Sequence, residues 1–187
     1  EGLAEKATQQ QLDYEEYLLE VVEVERQARR NKRTEKLLRE SRLPLEKTVQ
    51  AFQMDRLPKK ALSQVKALLD GTFLGRTENV LAFGNPGSGK THLLCALGQE
   101  LIGQLGKRVY YAKCDLLVQE LLRAKQELKL PRLLKKLAGY DALILDDIGY
   151  VQQSREEMEV LFTLLAERYG ADNGRVALRT LGALGEH

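Results

Sequence analysis

Apolar residues near the N-terminus recur at three- and four-residue steps, a pattern typical of an amphipathic helix. The positions that set this phase are Tyr14, Tyr17, Leu18, Val21 and Val22. The pair Leu43-Pro44 ends the pattern, because proline disfavours a helical conformation in the residue before it. A second helical pattern covers residues 59–69. The first third of the chain is therefore predicted to be helical.

Further along the chain, short apolar runs alternate with helical patterns. The runs predict strands at residues 79–83, 108–112 and 142–145, and a weak strand at 176–178. Strands that alternate with helices are typical of a parallel sheet covered on both faces. The predicted fold class is therefore α/β, with a parallel sheet flanked by helices and preceded by an N-terminal helical arm.

The helices between these strands carry their own start and stop signals. Asp115 is a candidate cap for the helix after the second strand, Pro131 fits a first helical turn, and Gly139 fits a helix end. The segment Ser154-Arg-Glu-Glu157 is a capping box, and Gly170 is expected to end the helix that it begins. Helical spacing predicts that one face of that last helix carries Met158, Leu161, Phe162 and Leu165.

Composition narrows the function classes only slightly. The 187 residues, 43% of them hydrophobic, suffice for one moderate core with an appendage, and a net charge of +2 does not indicate a nucleic-acid partner. Cys95 and Cys114 lack metal-ligand spacing and are too few for a disulfide framework, so both are expected to be core thiols in a reducing compartment. Apolar runs of about 18 residues are missing, and we expect a cytoplasmic protein without a membrane partner.

Charge is strongly segregated within the first 42 residues. Residues 1–25 carry eight acidic residues and one basic residue, whereas residues 26–42 carry eight basic and two acidic residues. Five of these cations follow one helical face, and we call them the basic stripe: Arg26, Arg29, Arg30, Arg33 and Lys36. The stripe is either a solvated helix face or a track for DNA phosphates. We assign residues 1–54 to an N-terminal helical region that contacts DNA or a partner, and residues 55–187 to a core domain.

One motif of this core has a specific chemistry. Residues 84–91 match G-x-x-x-x-G-K-[ST] between a predicted strand and a predicted helix, which is the context of a phosphate-binding P-loop. They are Gly84, Asn85, Pro86, Gly87, Ser88, Gly89, Lys90 and Thr91. Glycines let successive N–H groups point at phosphate oxygens, and the following helix N-terminus adds partial positive charge. We predict that this loop binds ATP with Mg²⁺; Lys90 would contact the β- and γ-phosphates, and Thr91 would ligate the metal.

A second motif ends the third predicted strand with two carboxylates. In P-loop proteins an acidic residue at such a place reaches the magnesium ion, and Asp146 is the candidate. Asp147 could orient the attacking water, so we predict Lys90 and Asp147 as catalytic residues. The alternative is that the pair is a turn or a helix cap. His92 is interpreted as a packing residue of the helix, since no second metal-type residue supports it as a ligand.

These residues together resemble a known family, the IstB-like transposition helper ATPases, which are AAA+ relatives of the helicase loader DnaC. The matching stretches are residues 42–47, 79–94, 146–150 and 161–169. The resemblance implies an AAA+ core and an ATP-dependent DNA-binding protein that assembles into homo-oligomers and recruits or stimulates a transposase. It also favours DNA contact through the N-terminal helical region.

The family pattern weakens after Tyr169. Family members continue into a strand ending in Thr-Ser-Asn, which senses the γ-phosphate, and then into an arginine finger and a C-terminal lid. Here Leu181 lies near the expected asparagine, with Thr180 the nearby polar residue. We therefore expect a truncated or frame-shifted product that binds ATP, hydrolyses it poorly, and has the P-loop strand at a sheet edge.

Two other functions compete with the transposition helper. One is a nucleotide-switched, helicase-loader-like binding module without useful turnover. The other is a small-molecule kinase, which is disfavoured because the acidic and basic arm has no role there and the P-loop lies far from the N-terminus.

Overall fold

The computed structural model describes residues 13–148, 154–170 and 176–182, with the backbone alone for residues 169–170 and 176–182. It divides into two compact units between Lys36 and Leu37. The first unit is helical from Tyr14 to its end at Lys36. Leu37 and Leu43 belong to the core of the second unit, although both lie before the boundary that we placed near Met54.

The elements alternate along the chain as follows. The helices are α1 (Tyr14–Ser41), α2 (Lys59–Leu69), α3 (Thr72–Gly75), α4 (Lys90–Leu105), α5 (Cys114–Gln126), α6 (Leu130–Ala138) and α7 (Arg155–Gly170), with a 3-10 turn at Met54–Arg56. The strands are β1 (Val80–Gly84), β2 (Val109–Lys113), β3 (Ala142–Ile148) and β4 (Val176–Gly182). The helical and strand segments that the sequence predicted are confirmed, with boundaries that shift by a few residues.

The four described strands form one parallel sheet in the order β1-β4-β3-β2. Alternate residues of β3 serve two cores. Ile144 packs in the cluster that contains Leu94 and Leu97 of α4, whereas Leu143 and Leu145 pack in the cluster formed with α5, α6 and α7. A strand buried on both faces explains the continuous apolar run in the sequence. The predicted α/β class with helices on both faces is confirmed.

Helix α4 lies unusually close to the sheet at one glycine. A Cβ atom added at Gly98 would lie 2.8 Å from Cδ1 of Ile144 and 3.2 Å from a methyl group of Leu43. A side chain at this position would push α4 away from β3. The small residue therefore fixes the distance between the helix after the P-loop and the strand that carries Asp146.

Three local predictions require correction. Asp115 does not cap α5, because the helix begins at Cys114 with Lys113 in the cap position. Met158 and Phe162 are 46% and 71% exposed, whereas α7 buries Val160, Leu161 and Leu164. The buried face of α7, which packs against α5 and α6, is thus rotated about the helix axis relative to the face that we predicted.

The third correction concerns β4, which is longer than the predicted 176–178. It extends over Val176–Gly182 and pairs with β1 on one side and β3 on the other. A strand with two hydrogen-bonded neighbours can form from residues of weak intrinsic strand preference. In the described part of the sheet β1 is an edge strand, as expected.

Other features agree with the sequence interpretation. In the capping box, the Ser154 amide donates to Glu157 Oε2 at 2.7 Å, and the Glu157 amide donates to Ser154 Oγ at 3.3 Å. Cys95 and Cys114 are both buried and free. None of the described helices combines the length and apolar character that crossing a membrane requires.

Candidate functional site

The P-loop connects β1 to α4 through three glycines with positive φ angles. The angles are 154° at Gly84, 77° at Gly87 and 86° at Gly89, all in regions that residues with a Cβ rarely adopt. Gly89 is also the residue that caps α4. The glycines that the sequence motif requires are thus used to curl the chain immediately before a helix N-terminus, where anions are favoured.

The side chain of Lys90 lies back across this loop. Its Nζ atom donates hydrogen bonds to the carbonyl oxygens of Gly84 at 2.7 Å and Asn85 at 2.9 Å. These two acceptors hold the ammonium group near the loop that would cradle the phosphates.

Thr91 and Asp146 meet although 55 positions separate them in the sequence. Thr91 Oγ1 donates to Asp146 Oδ1 at 2.7 Å, and Asp146 is only 2% exposed. A hydroxyl and a carboxylate are the oxygen ligands that Mg²⁺ prefers, and magnesium usually takes one or two protein ligands together with substrate phosphates. This donor pair therefore fits a magnesium ion. Among the described residues, no group of three or more His, Cys, Asp or Glu side chains could hold a metal ion.

Tyr111 also reaches Asp146, which sequence reasoning missed. Its hydroxyl donates to Asp146 Oδ2 at 2.8 Å. Burial, together with the hydrogen bond to Asp146, raises the pKa of Tyr111 well above its usual value, so the hydroxyl stays protonated. The sequence did hold a signal: alternation along β2 puts Tyr111 on the same sheet face as Lys113, whose register partner on β3 is Asp146.

Asp147 has a different environment from its neighbour. It is exposed, its φ angle is 59°, and it lines the same pocket as the P-loop. The register between β3 and β4 shifts between Leu145 and Ile148, so the strand is irregular where the two carboxylates occur. Asp146 is thus buried beside Thr91, whereas Asp147 is available to a ligand in the pocket.

The pocket over the P-loop has a volume of about 570 Å³. Its lining residues are Lys47, Pro86, Gly87, Gly89, Lys90, Thr91, His92, Lys113, Asp115 and Asp147. Of the other predicted site residues, Gly84 and Asn85 support Lys90 through their carbonyl oxygens, and Asp146 lies behind Thr91. Ser88 is an exposed residue of the loop itself, and its Oγ would be 2.9 Å from a Cβ added at Gly84. Lys47 and Lys113 are pocket cations that the sequence analysis did not identify.

Residues 43–52, which we call the strap, run along α4 and bring Lys47 to the pocket. Gln99 Nε2 donates to the carbonyl oxygens of Pro44 at 3.1 Å and Lys47 at 2.9 Å. His92 Nε2 lies 2.9 Å from the carbonyl oxygen of Thr48, and the Phe52 ring contacts the His92 ring edge-on at 5.3 Å. His92 therefore packs against the strap, in agreement with its interpretation from the sequence as a packing residue.

The basic stripe lies on an exposed face of α1, and two of its members pair with acidic residues of the same helix. Arg26 bonds Glu23 and Arg29 bonds Glu25, each at 2.6 Å. The Arg29 contact lowers the pKa of Glu25. Exposed pairs of this kind are weak and exchange readily with other anions. The pairs agree with a solvated face and leave the cations accessible to phosphates.

The comparison with known proteins decides the family. The model of the family described as IstB-like ATP binding protein matches residues 1–180. The chain belongs to this family. It is 39% identical over 169 residues to the insertion sequence IS21 putative ATP-binding protein of Pseudomonas aeruginosa, covering 90% of this chain and 63% of that one. It is 33% identical over 168 residues to the IS5376 putative ATP-binding protein of Geobacillus stearothermophilus, covering 90% and 66%.

Among these IstB-like relatives, a protein of Sinorhizobium fredii described as a putative insertion sequence ATP-binding protein is 39% identical over 167 residues, covering 89% of this chain and 56% of that one. The chain thus spans about three fifths of the length of the curated relatives that it matches.

Solved structures of a helicase loader and of a replication initiator share the fold. A crystal structure of the DnaC helicase loader matches with a TM-score of 0.61 and 24% identity, covering 68% of this chain and 71% of that one. The replication initiator DnaA bound to AMPPCP and single-stranded DNA matches with a TM-score of 0.65 and 22% identity, covering 76% and 43%. At these identities the likeness establishes the fold alone: the core has an AAA+-type P-loop fold.

Proposed function

We propose that this chain binds Mg²⁺–ATP and acts as a helper protein in transposition, recruiting or stimulating a transposase on DNA. The observation that carries the proposal is the 2.7 Å hydrogen bond between Thr91 and Asp146, which joins the P-loop to the end of β3. Family membership supports ATP binding. The names of the relatives, which are insertion sequence ATP-binding proteins, support the role in transposition.

Each predicted site residue has a role in this mechanism that its position supports. Loop amides and Lys90 would bind the phosphates, and Thr91 with Asp146 would hold the magnesium ion, which neutralises developing charge when bound. Asp147 faces the pocket, where it could orient the water that attacks the γ-phosphate. Phosphoryl transfer depends mainly on such positioning and on electrostatic stabilisation.

The proposed DNA contact is the basic stripe on α1. Five cations at helical spacing could follow a phosphate backbone, and their weak pairs with acids on the same helix would exchange for phosphates. We propose further that the protein works as a homo-oligomer on DNA, as its resemblance to the family implies.

We also propose that the 187-residue polypeptide hydrolyses ATP slowly. Leu181 pairs in register with Phe83 of β1 and with Ile148 of β3, so it lies at the carboxyl edge of the sheet, close to the P-loop. A leucine cannot donate a hydrogen bond to a γ-phosphate or to water, and Thr180 is its nearest polar neighbour on β4. This position favours the second candidate function, a nucleotide-switched binding module.

Titration of the purified polypeptide with ATP, in Mg²⁺ and in EDTA, tests the proposed function. We expect saturable binding that Mg²⁺ strengthens, followed by slow turnover even with DNA and a transposase present. A protein that shows no ATP binding under either condition would overturn the assignment. Fast, DNA-stimulated turnover would contradict the nucleotide-switched binding module and would support the transposition helper ATPase.

A further inference from the structure

Tyr111 belongs to neither sequence motif, yet it contacts the carboxylate that the proposed metal site depends on. Its hydroxyl donates to Asp146 Oδ2 at 2.8 Å, while Thr91 donates to Asp146 Oδ1 at 2.7 Å. Both oxygens of this 2% exposed carboxylate are therefore engaged by donors from two different elements, β2 and α4.

We propose that Tyr111 is a positioning residue for the magnesium ion that accompanies ATP, and that it acts through Asp146. The inference rests on the proposed function, since it needs Mg²⁺–ATP at the P-loop. With Oδ2 bonded to Tyr111, the carboxylate cannot rotate freely about its Cβ–Cγ bond. Oδ1 is then kept toward Thr91, the other predicted metal ligand.

The hydroxyl of Tyr111 is suited to this task because paired strands fix its position. It lies 2.8 Å from Asp146 Oδ2, and the parallel pairing of β2 with β3 holds the two residues in register. A donor of this kind behind a ligand fixes the orientation of that ligand, and removing such outer partners typically lowers metal affinity about 10- to 100-fold.

A fixed carboxylate also affects which cation is accepted. Mg²⁺ demands near-octahedral geometry at short distances, whereas Ca²⁺ tolerates more ligands and looser geometry. If Tyr111 holds Asp146 in one orientation, its loss should weaken Mg²⁺ more than Ca²⁺. Packing alone would not produce this difference between the two cations.

The experiment uses Tyr111→Phe, which removes one oxygen atom and keeps the ring. At a fixed ATP concentration, the Mg²⁺ concentration that half-restores ATP binding should rise about tenfold or more, in line with the loss of an outer partner of a metal ligand. ATP affinity in EDTA should stay within about twofold of the parent, since metal-free binding does not use Asp146 as a metal ligand. In the same titrations, the ratio of the affinity for Mg²⁺ to the affinity for Ca²⁺ should be smaller for the variant than for the parent.

Tyr110→Phe is the matched control. Tyr110 is the neighbouring residue of β2 and is also buried, but it faces the opposite side of the sheet and packs against Tyr140. Its variant should keep the parent's Mg²⁺ dependence. Equal Mg²⁺ dependence in Tyr111→Phe and Tyr110→Phe would overturn the inference, and so would equal losses of ATP affinity in Mg²⁺ and in EDTA.

Failure of the proposed function has a different outcome. A parent protein that does not bind ATP in Mg²⁺ or in EDTA contradicts the nucleotide site as a whole. If the parent and Tyr111→Phe both bind ATP with the same Mg²⁺ dependence, the role of Tyr111 is contradicted and the nucleotide site is not.

Discussion

The ammonium group of Lys90 donates a 2.7 Å hydrogen bond to the carbonyl oxygen of Gly84, the last residue of β1. A second bond, to the Asn85 carbonyl at 2.9 Å, completes the contact. The ammonium group of Lys90 is thus held against the first residues of the P-loop, near the place that the β- and γ-phosphates of ATP would occupy in the proposed function. Its contacts are local, so the rest of the fold does not depend on them.

Lys90→Ala should abolish ATP binding and leave the fold intact. The substitution removes the side-chain cation aimed at the terminal phosphates, and the Gly84 and Asn85 carbonyls can bond water instead. Calorimetric titration with ATP, beside thermal unfolding, gives both results. Lys66→Ala, at an exposed position of α2, is the control and should bind ATP as the parent does. Parent-like affinity in Lys90→Ala would refute the P-loop assignment.

Asp146→Asn should weaken Mg²⁺-dependent ATP binding more than metal-free binding. The amide lacks the charge that attracts the metal, and its NH₂ group replaces one of the two oxygens that accept from Thr91 and Tyr111, so one of these hydroxyls loses its acceptor. The buried mismatch should also lower the free energy of unfolding by about 1–3 kcal/mol. ATP affinity in Mg²⁺ and in EDTA, with denaturant unfolding of the apo protein, measures the two effects. Equal losses of affinity in both conditions would argue against a metal role.

Reversing Arg26, Arg30 and Arg33 to Glu should weaken DNA binding equally at all sequences if the basic stripe follows phosphates. Each lost phosphate contact should flatten the slope of log affinity against log salt by about 0.9. The measurement is a salt series with two unrelated duplexes. Reversal of Lys59, Lys60 and Lys66 on α2 provides a control of equal charge change. If the slope does not change, the stripe is a solvated helix face.

The buried thiol of Cys95 should contribute a pH-dependent term to stability. Burial raises its pKa to about 12 from an ordinary value near 9, so the folded protein holds the thiol proton more tightly than the unfolded chain. This contribution is complete below the unfolded pKa and is lost as pH rises from about 9 toward 12. Unfolding free energies between pH 8 and about 10.5 should fall less steeply in Cys95→Ala than in the parent. Identical slopes would contradict the raised pKa.

The sequence predicted the elements of this protein well where local chemistry decides them. Leu43-Pro44 ended the first helix, and Ser154 with Glu157 began α7, because both signals act within a few residues. The P-loop was equally clear, since Gly87 and Gly89 are required by backbone angles that few other residues adopt.

What the sequence did not predict depends on contacts between distant segments. Tyr111 is an ordinary strand residue until β2 pairs with β3 and brings it to Asp146. Lys47 lines the pocket, and the strap that carries it is held to α4 by hydrogen bonds from Gln99, which lies 52 positions further along the chain. The length of β4 follows from its place between two strands, and the local sequence does not indicate that place.

The strand order β1-β4-β3-β2 has a consequence for how this protein is made. In the described sheet the P-loop strand pairs only with β4, which lies roughly ninety residues later in the chain. At synthesis rates of about 5–20 residues per second, β1 leaves the ribosome roughly 5–20 s before its partner exists. During that interval its exposed Leu81 and Phe83 have no neighbouring strand. The P-loop strand of the nascent protein therefore stays unpaired until β4 has been translated, although the signature motif directly follows β1 in the chain.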